Sequence, residues 1–493
     1  MSIKDQVLEG SLWTALGRYS SKGITFLVTV VLSRILPPED FGIVGMVVAV
    51  TAFAGLLTQA GIGSAVIQKD DLDQDDLSSI FWMSQFVGAG LALLLLAGAP
   101  LIGDLYQDER VVLVTRIVSV KFVLLGIITV PLALLKKSLR FRELAGVKAI
   151  AAAISGLVAI GMAMQGWGYW ALVGQILMTA LLQVLGLTLV MEWRPGMVFQ
   201  MSAVKKIVSY SGFVLGSNTV NYWARKADDL LVGRALGADQ LGFYGHAYRL
   251  MMIPLQLLTY VTQPVLHPVL VSVKEDVQRM RRAYLELTEF LGLLSFPLAA
   301  LLTVLAEPLV LVVWGPQWEP TVEVFRVLAL LAALQPVVST AGSIFMVRDR
   351  TRLMFLVTTV NMLALVCAFV IGLAGGIVGV ALGFGIAYLL VVAPLTLYVI
   401  VVTLLEGSPS SIFRIFVRPA VAAVAVGAVS MVAYEILAPR VPSALLLVLV
   451  SLAALAAHVL YIWFRARDRI QVLADTRLGR YLQSRWKVFR KDE

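Results

Sequence analysis

The chain has 493 residues, 59% of them apolar and only 14% charged, with a formal net charge of +9. A soluble chain of this length would need about a quarter of its residues charged to cover two or three domains, so the composition excludes a soluble enzyme. One cysteine, Cys367, and three scattered histidines leave no disulfide framework and no clustered metal ligands, and no Gly-Lys-Ser/Thr triplet is present to cradle a nucleotide phosphate.

A transmembrane helix takes about 20 apolar residues. Fourteen such stretches follow in order, at roughly 10–36, 42–67, 79–103, 111–135, 144–165, 167–191, 205–236, 241–272, 283–306, 320–347, 352–374, 376–405, 412–437 and 443–464. The expected fold class is therefore an all-α polytopic membrane protein. The opening MSIKDQVLEGSLW lacks the pattern of a cleaved signal peptide, so the first stretch is expected to remain a span. Turn chemistry separates several stretches: LPPED at 36–40, GWG at 166–168, WGPQWEP at 314–320, EGSPSS at 406–411 and APRVP at 438–442.

Positive charge is retained on the cytoplasmic side of membrane proteins. With the N-terminus inside, the inner segments hold 27 Lys and Arg and the outer loops hold two, Arg110 and Arg440. Both termini are then cytoplasmic. The inner loop at 68–78 departs from the pattern, with one lysine against five aspartates. From Arg465 onward the tail interleaves basic and apolar residues, as a helix lying on an anionic membrane surface does. The positive-inside bias accounts for the net charge, so no nucleic-acid partner is expected.

The stretch SRILPPEDFGIVG at 33–45 aligns without gaps on GRALGADQLGFYG at 233–245. Arg34, Leu36, Gly42 and Gly45 match Arg234, Leu236, Gly242 and Gly245. Six expected spans separate the copies. Six is even, so both copies enter the membrane in the same direction, as in a parallel repeat. The expected organisation is an N-lobe at 1–195, a C-lobe at 196–405, two further helices at 406–464 and a basic tail at 465–493.

Charged side chains near mid-membrane cost about 2.5–3.5 kcal/mol each and tend to face a wet cavity or a partner. The first stretch places Arg18 and Lys22 on one face with Thr14, Ser21 and Thr25. The seventh carries Asn218, Asn221, Arg225 and Asp228 as a continuous stripe, flanked by Lys226 and Asp229. The eighth carries Arg249, Gln256, Tyr260 and Gln263, with His246 one turn before them. A cavity lined by Arg18, Lys22, Arg225 and Arg249, with Asn218 and Asn221, is cationic and suits a phosphate or pyrophosphate, which arginine binds bidentately. Arg225 and Asp228 are spaced to pair at i, i+3, which is equally a packing device. Asp228, Asp229 and His246 are candidates for coupling to a proton. Glu289 and Glu307 are weaker ones, and His267 reads as structural. No cofactor is expected beyond a proton or sodium ion as the coupling species.

Several stretches carry a resemblance: LSRILPPEDFGIVGMV with LLTQAGIGSAVIQ; NYWARKADDLLVGRALGADQLGFYGHAYRLMMIP; PVLHPVLVSVKEDVQRMRRAYLELTEFLGLLSFPL; and LAEPLVLVVWGPQWEPTVEVFRVLAL. Over roughly residues 1–405 the chain resembles the oligosaccharide-flippase, or polysaccharide transporter, family of the multidrug/oligosaccharidyl-lipid/polysaccharide exporter superfamily. It is most similar to the Wzx-like exporters of colanic-acid and teichuronic-acid type. The resemblance implies a two-lobe bundle. It implies flipping of an undecaprenyl-pyrophosphate-linked oligosaccharide across the bacterial inner membrane, beside a polymerase and a chain-length regulator. The family's Arg-x-x-Asp falls on Arg225 and Asp228. His267 stands where an aromatic or apolar residue is expected, so no role is carried onto it.

Two rivals remain. A cation-coupled drug exporter of the same superfamily needs an acidic cavity, whereas basic residues dominate these spans. A membrane-embedded polymerase or glycosyltransferase needs a large outer loop, and the longest here is about a dozen residues around WGPQWEP. The expectation is a transporter, not an enzyme.

Overall fold

The computed structural model describes residues 3–59, 63, 66, 67, 69, 72–202, 222 and 226–474, with side chains at all of these except 3–16, 18, 56–59, 260, 261, 263–265, 267 and 465–474. Every regular element among them is helical. The order is α1 (Ile3–Ile35), α2 (Pro38–Gln59), α3 (Gln74–Tyr106), α4 (Glu109–Lys137), α5 (Phe141–Met164), α6 (Trp170–Val190), α7 (226–236), α8 (Ala238–Ser272) and α9 (Val277–Val304). Then come α10 (Ala306–Val313), a 3₁₀ turn (Pro316–Trp318), α11 (Thr321–Ser339), α12 (Ala341–Val347), α13 (Thr351–Gly372), α14 (Gly376–Ala387), α15 (Ala393–Tyr398), α16 (Pro409–Leu437) and α17 (Ser443–Ala474).

Ten helical segments among the described residues are long and apolar enough to cross a membrane. One of them, Thr351–Leu404, has 54 residues, length enough for two crossings. It turns at Gly372, where a Cβ would stand 2.5 Å from the Gly379 carbonyl oxygen. Large apolar side chains face outward: Leu93, Leu101, Leu189, Ile371 and Val424 are 66–85% exposed. Such a surface is stable against lipid, and helices satisfy their own backbone there. The protein is a multi-pass helical membrane protein.

Local chemistry sets the helix ends. Pro38 opens α2 at a position that needs no N–H donor, with Glu39 and Asp40 favourably placed in the first turn. Asp73 caps α3 by accepting from the Asp76 N–H at 2.7 Å. That cap begins α3 at Gln74, five residues before the hydropathy pattern starts it, and gives one of the aspartates at 68–78 a local use. Asp108 caps α4 through the Arg110 N–H at 2.9 Å. The expected span at 320–347 is split at Thr340 into α11 and α12.

Contacts divide the chain into two units that alternate along the sequence. The first comprises Met1–Tyr248, Val313–Val324 and Phe355–Ala387. Within it α3 packs on α4, α1 on α5, and α5 on α6. The segment after α6 lies along the start of α3: Trp82 Nε1 donates to Gly196 O at 2.8 Å, and the N–H groups of Gly196 and Gln200 donate to the Ser78 and Ser79 hydroxyls at 2.9 Å each. The second unit comprises Arg249–Val312, Phe325–Met354 and Tyr388–Glu493. There α9 packs on α16, with Pro419 against Gly292 and Arg418 paired to Glu289 at 2.9 Å.

Candidate functional site: an acidic cluster and a closed helix end

The first unit holds the residues that carry the chemistry. Asp228 on α7 is 3% exposed. Its Oδ2 accepts from the Tyr244 hydroxyl of α8 at 2.9 Å, and its Oδ1 accepts from the Asp229 N–H at 2.9 Å. Asp229 pairs with Lys226 at 2.5 Å, one helical turn away. Tyr222 donates to Ala49 O of α2 at 2.5 Å, and its ring lies 5.8 Å from Phe53. Tyr106, at the end of α3, is 4% exposed, and its hydroxyl has no hydrogen-bond partner among the described residues. Tyr106 and Tyr222 both stand within electrostatic reach of Asp229. Among the described residues, two adjacent carboxylates, one ammonium and three phenols come together here. A carboxylate buried this deeply is costly to leave without donors.

The expected stripes are placed unevenly. Asn218, Asn221 and Arg225 lie outside the described residues, as does the side chain of Arg18. Lys22 and Arg249 are exposed. The hydroxyls beside Lys22 are satisfied by their own helix: Ser21 donates to Gly17 O at 2.8 Å, Thr25 to Ser21 O at 2.9 Å and Thr29 to Thr25 O at 2.8 Å. Asp228 and Asp229 come together with Lys226. His246 is 1% exposed, its ring 4.6 Å from Phe41, 4.9 Å from Trp314 and 3.8 Å from Trp318. Its Nδ1 faces Gly242 O at 3.1 Å. Tyr244, Tyr222 and Tyr106 belong to none of the polar stripes visible in the sequence. Tyr244 follows Asp228 by 16 residues and across a helix break at Gly237, so no 3–4 spacing marks the pair.

The two copies of the sequence repeat meet face to face. A Cβ at Gly42 would lie 1.8 Å from the Ala238 carbonyl oxygen, and one at Gly242 would lie 2.1 Å from that of Pro38. Pro38 and Ala238 are equivalent positions, as are Gly42 and Gly242. The first turns of α2 and α8 therefore cross backbone against backbone in a contact that reproduces itself under exchange of the copies. Only glycine permits this approach. The rim around the crossing is ionic. Arg110 pairs with Glu39 at 2.7 Å and with Asp108 at 2.8 Å, and this holds the Asp108 carboxyl below the ordinary carboxylate range.

Comparison with known proteins gives the arrangement a context. The chain is 28% identical over 356 residues to the teichuronic acid biosynthesis protein TuaB of Bacillus subtilis (strain 168), covering 72% of this chain and 74% of that one. It is 25% identical over 393 residues to the lipopolysaccharide biosynthesis protein WzxC of Escherichia coli (strain K12), covering 78% and 79%. Its fold is that of the lipid II flippase MurJ in an inward closed conformation, with a TM-score of 0.74 at 13% identity over 93% of this chain and all of that one. The family model for polysaccharide biosynthesis proteins matches residues 31–323, more than half the chain and the whole of both repeat copies, and the chain belongs to that family.

Proposed function

We propose that the protein is a flippase that moves undecaprenyl-pyrophosphate-linked oligosaccharide across the bacterial inner membrane by alternating access, for assembly of a surface polysaccharide. The observation that carries this reading is the family match across both copies of the repeat, on a fold shared with a lipid II flippase. Two six-helix lobes, at 1–195 and 196–405, supply the two rocking bodies. The basic loops face the cytoplasm, with both termini. The pyrophosphate is held by Arg18, Lys22, Arg225 and Arg249, assisted by Asn218 and Asn221, while the polyprenyl tail remains in lipid. The protein performs no bond chemistry of its own, and a polymerase and a chain-length regulator act on its product.

Asp228 and Asp229 are the coupling groups. The geometry supports this role because Asp228 accepts from Tyr244, a side-chain donor on a different helix. Taking up a proton or a sodium ion changes the charge of the cluster and so its hold on α8. The test is a reconstituted flipping assay with defined lipid-linked sugars, run with and without a proton or sodium gradient. Gradient-dependent flipping that is lost in Arg225→Ala but not in a surface variant supports the reading. Normal surface polymer from Arg225→Ala removes that residue from the mechanism. A broad rise in tolerance to cationic dyes, with no flipping, would favour the drug-exporter alternative.

A further inference from the structure

The WGPQWEP stretch does more than turn the chain. Helix α1 ends at Ile35, and the last carbonyls of a helix have no partner within it. The chain that follows normally caps them with its N–H groups. Here Leu36 N–H reaches Leu32 O at 2.8 Å, but the next two residues are Pro37 and Pro38, which have no N–H to give. The Ser33 carbonyl is instead capped from 284 and 285 residues away, by Gln317 Nε2 and by Trp318 Nε1, the latter at 2.8 Å. Gln317 also donates to Leu36 O at 3.1 Å.

The same turn grips the second repeat copy. Trp314 and Trp318 are fully buried, and with Phe41 of α2 they enclose His246 of α8. Thr321 donates to Phe243 O of α8 at 3.4 Å. Gly315, at φ 108°, lets the chain bend between the two tryptophans. One short turn thus binds the end of α1 from the first copy and the start of α8 from the second, beside the glycine crossing that joins them. These three bonds to α1 come from side chains of the turn, and Gln317 is exposed, so water can take its place when the turn lifts.

We propose that residues 314–318 are a latch: Gln317 and Trp318 hold this end of the first unit shut by capping α1, and the turn must release α1 for cargo to leave here. Gln317 and Trp318 are positioning residues. The proposal rests on the flippase reading above, and its test separates the two.

Full-length protein carrying Cys367→Ala, which removes the one native thiol, is expressed in cells lacking their own exporter. Arg34→Cys and Pro316→Cys are added together, because a Cβ at the neighbouring Gly315 lies 3.9 Å from Arg34 Cγ. A short reversible bis-methanethiosulfonate should join them. Surface polymer should then fall at least tenfold and return on reduction. Efficient joining with unchanged output, or no joining at all, overturns the latch. If the unmodified Cys367→Ala protein yields no polymer and flips no lipid-linked sugar, the flippase reading fails instead. A second measurement needs no export. Ser33 is 0% exposed beneath the turn. Labelling of Ser33→Cys by a membrane-impermeant maleimide should rise at least threefold when Trp318→Phe removes the indole N–H and keeps an aromatic ring. An unchanged rate overturns the proposal.

Discussion

Asp228 shows what a single buried carboxylate demands of its neighbours. Among the described residues its two oxygens take one donor each, from the Tyr244 hydroxyl and the Asp229 N–H. Tyr244→Phe leaves Oδ2 without its donor at almost unchanged volume, a loss of about 1–3 kcal/mol for a buried group. The denaturation midpoint in detergent should fall accordingly, and flipping should fall with it; a midpoint equal to wild type would mean the bond contributes nothing. Asp108 is the counterpart at the rim. Arg110 depresses its pKa, so its stabilising contribution is complete above the unfolded value of about 4 and is lost as pH falls through the folded value. Asp108→Asn keeps a cap but cannot titrate. Its thermal midpoint should change less than that of wild type between pH 7 and pH 3, and equal acid sensitivity would clear Asp108 of the effect.

Between helices, the glycine crossing decides how α2 and α8 meet. Gly42→Ala and Gly242→Ala each drive a methyl group into a backbone carbonyl that cannot swing aside, at 1.8 and 2.1 Å. Each should destabilise by about 1–3 kcal/mol, the usual range for overpacking. The other two glycines of the repeat provide the contrast. A Cβ at Gly45 meets only the Leu241 side chain at 3.4 Å, and one at Gly245 meets nothing within 4 Å. Gly245→Ala should stabilise by up to about 1 kcal/mol, because alanine is the better helix former. Comparable midpoints for all three variants would show that the crossing is loose in the membrane. The repeat alignment makes these glycines two equivalent pairs, Gly42 with Gly242 and Gly45 with Gly245. Which two of them touch another backbone could not be read from it, because a clash depends on the partner's distance and not on the residue's own neighbours in sequence.

For the whole molecule, orientation is the property most exposed to test. The count of 27 basic residues against two predicts which helix ends face the cytoplasm. In a Cys367→Ala background, Gln165→Cys should react with an impermeant maleimide added outside, and Arg350→Cys only after permeabilisation. The reverse pattern would invert the proposed direction of transport. Helix positions were legible beforehand over part of the chain, since α4, α5, α6 and α16 fall on expected spans to within three residues. A span is a local property: about 20 apolar residues suffice to define it. The basic stripe across the first, seventh and eighth spans was legible as composition. Its convergence on one cavity is a statement about distances, and it stays a proposal.

The amino-acid order alone determined an all-helical membrane protein with an internal repeat and a charge asymmetry, because hydropathy, repetition and loop charge are summed along the chain and need no partner. Only the tertiary structure decided that Tyr244 serves Asp228, that Gly42 and Gly242 face the opposite copy's backbone, and that Gln317 and Trp318 cap a helix 284 and 285 residues distant. The physical reason is that hydrogen bonds and steric contacts act over a few ångströms in space, and side chains brought that close by folding carry no periodic trace of it in the sequence.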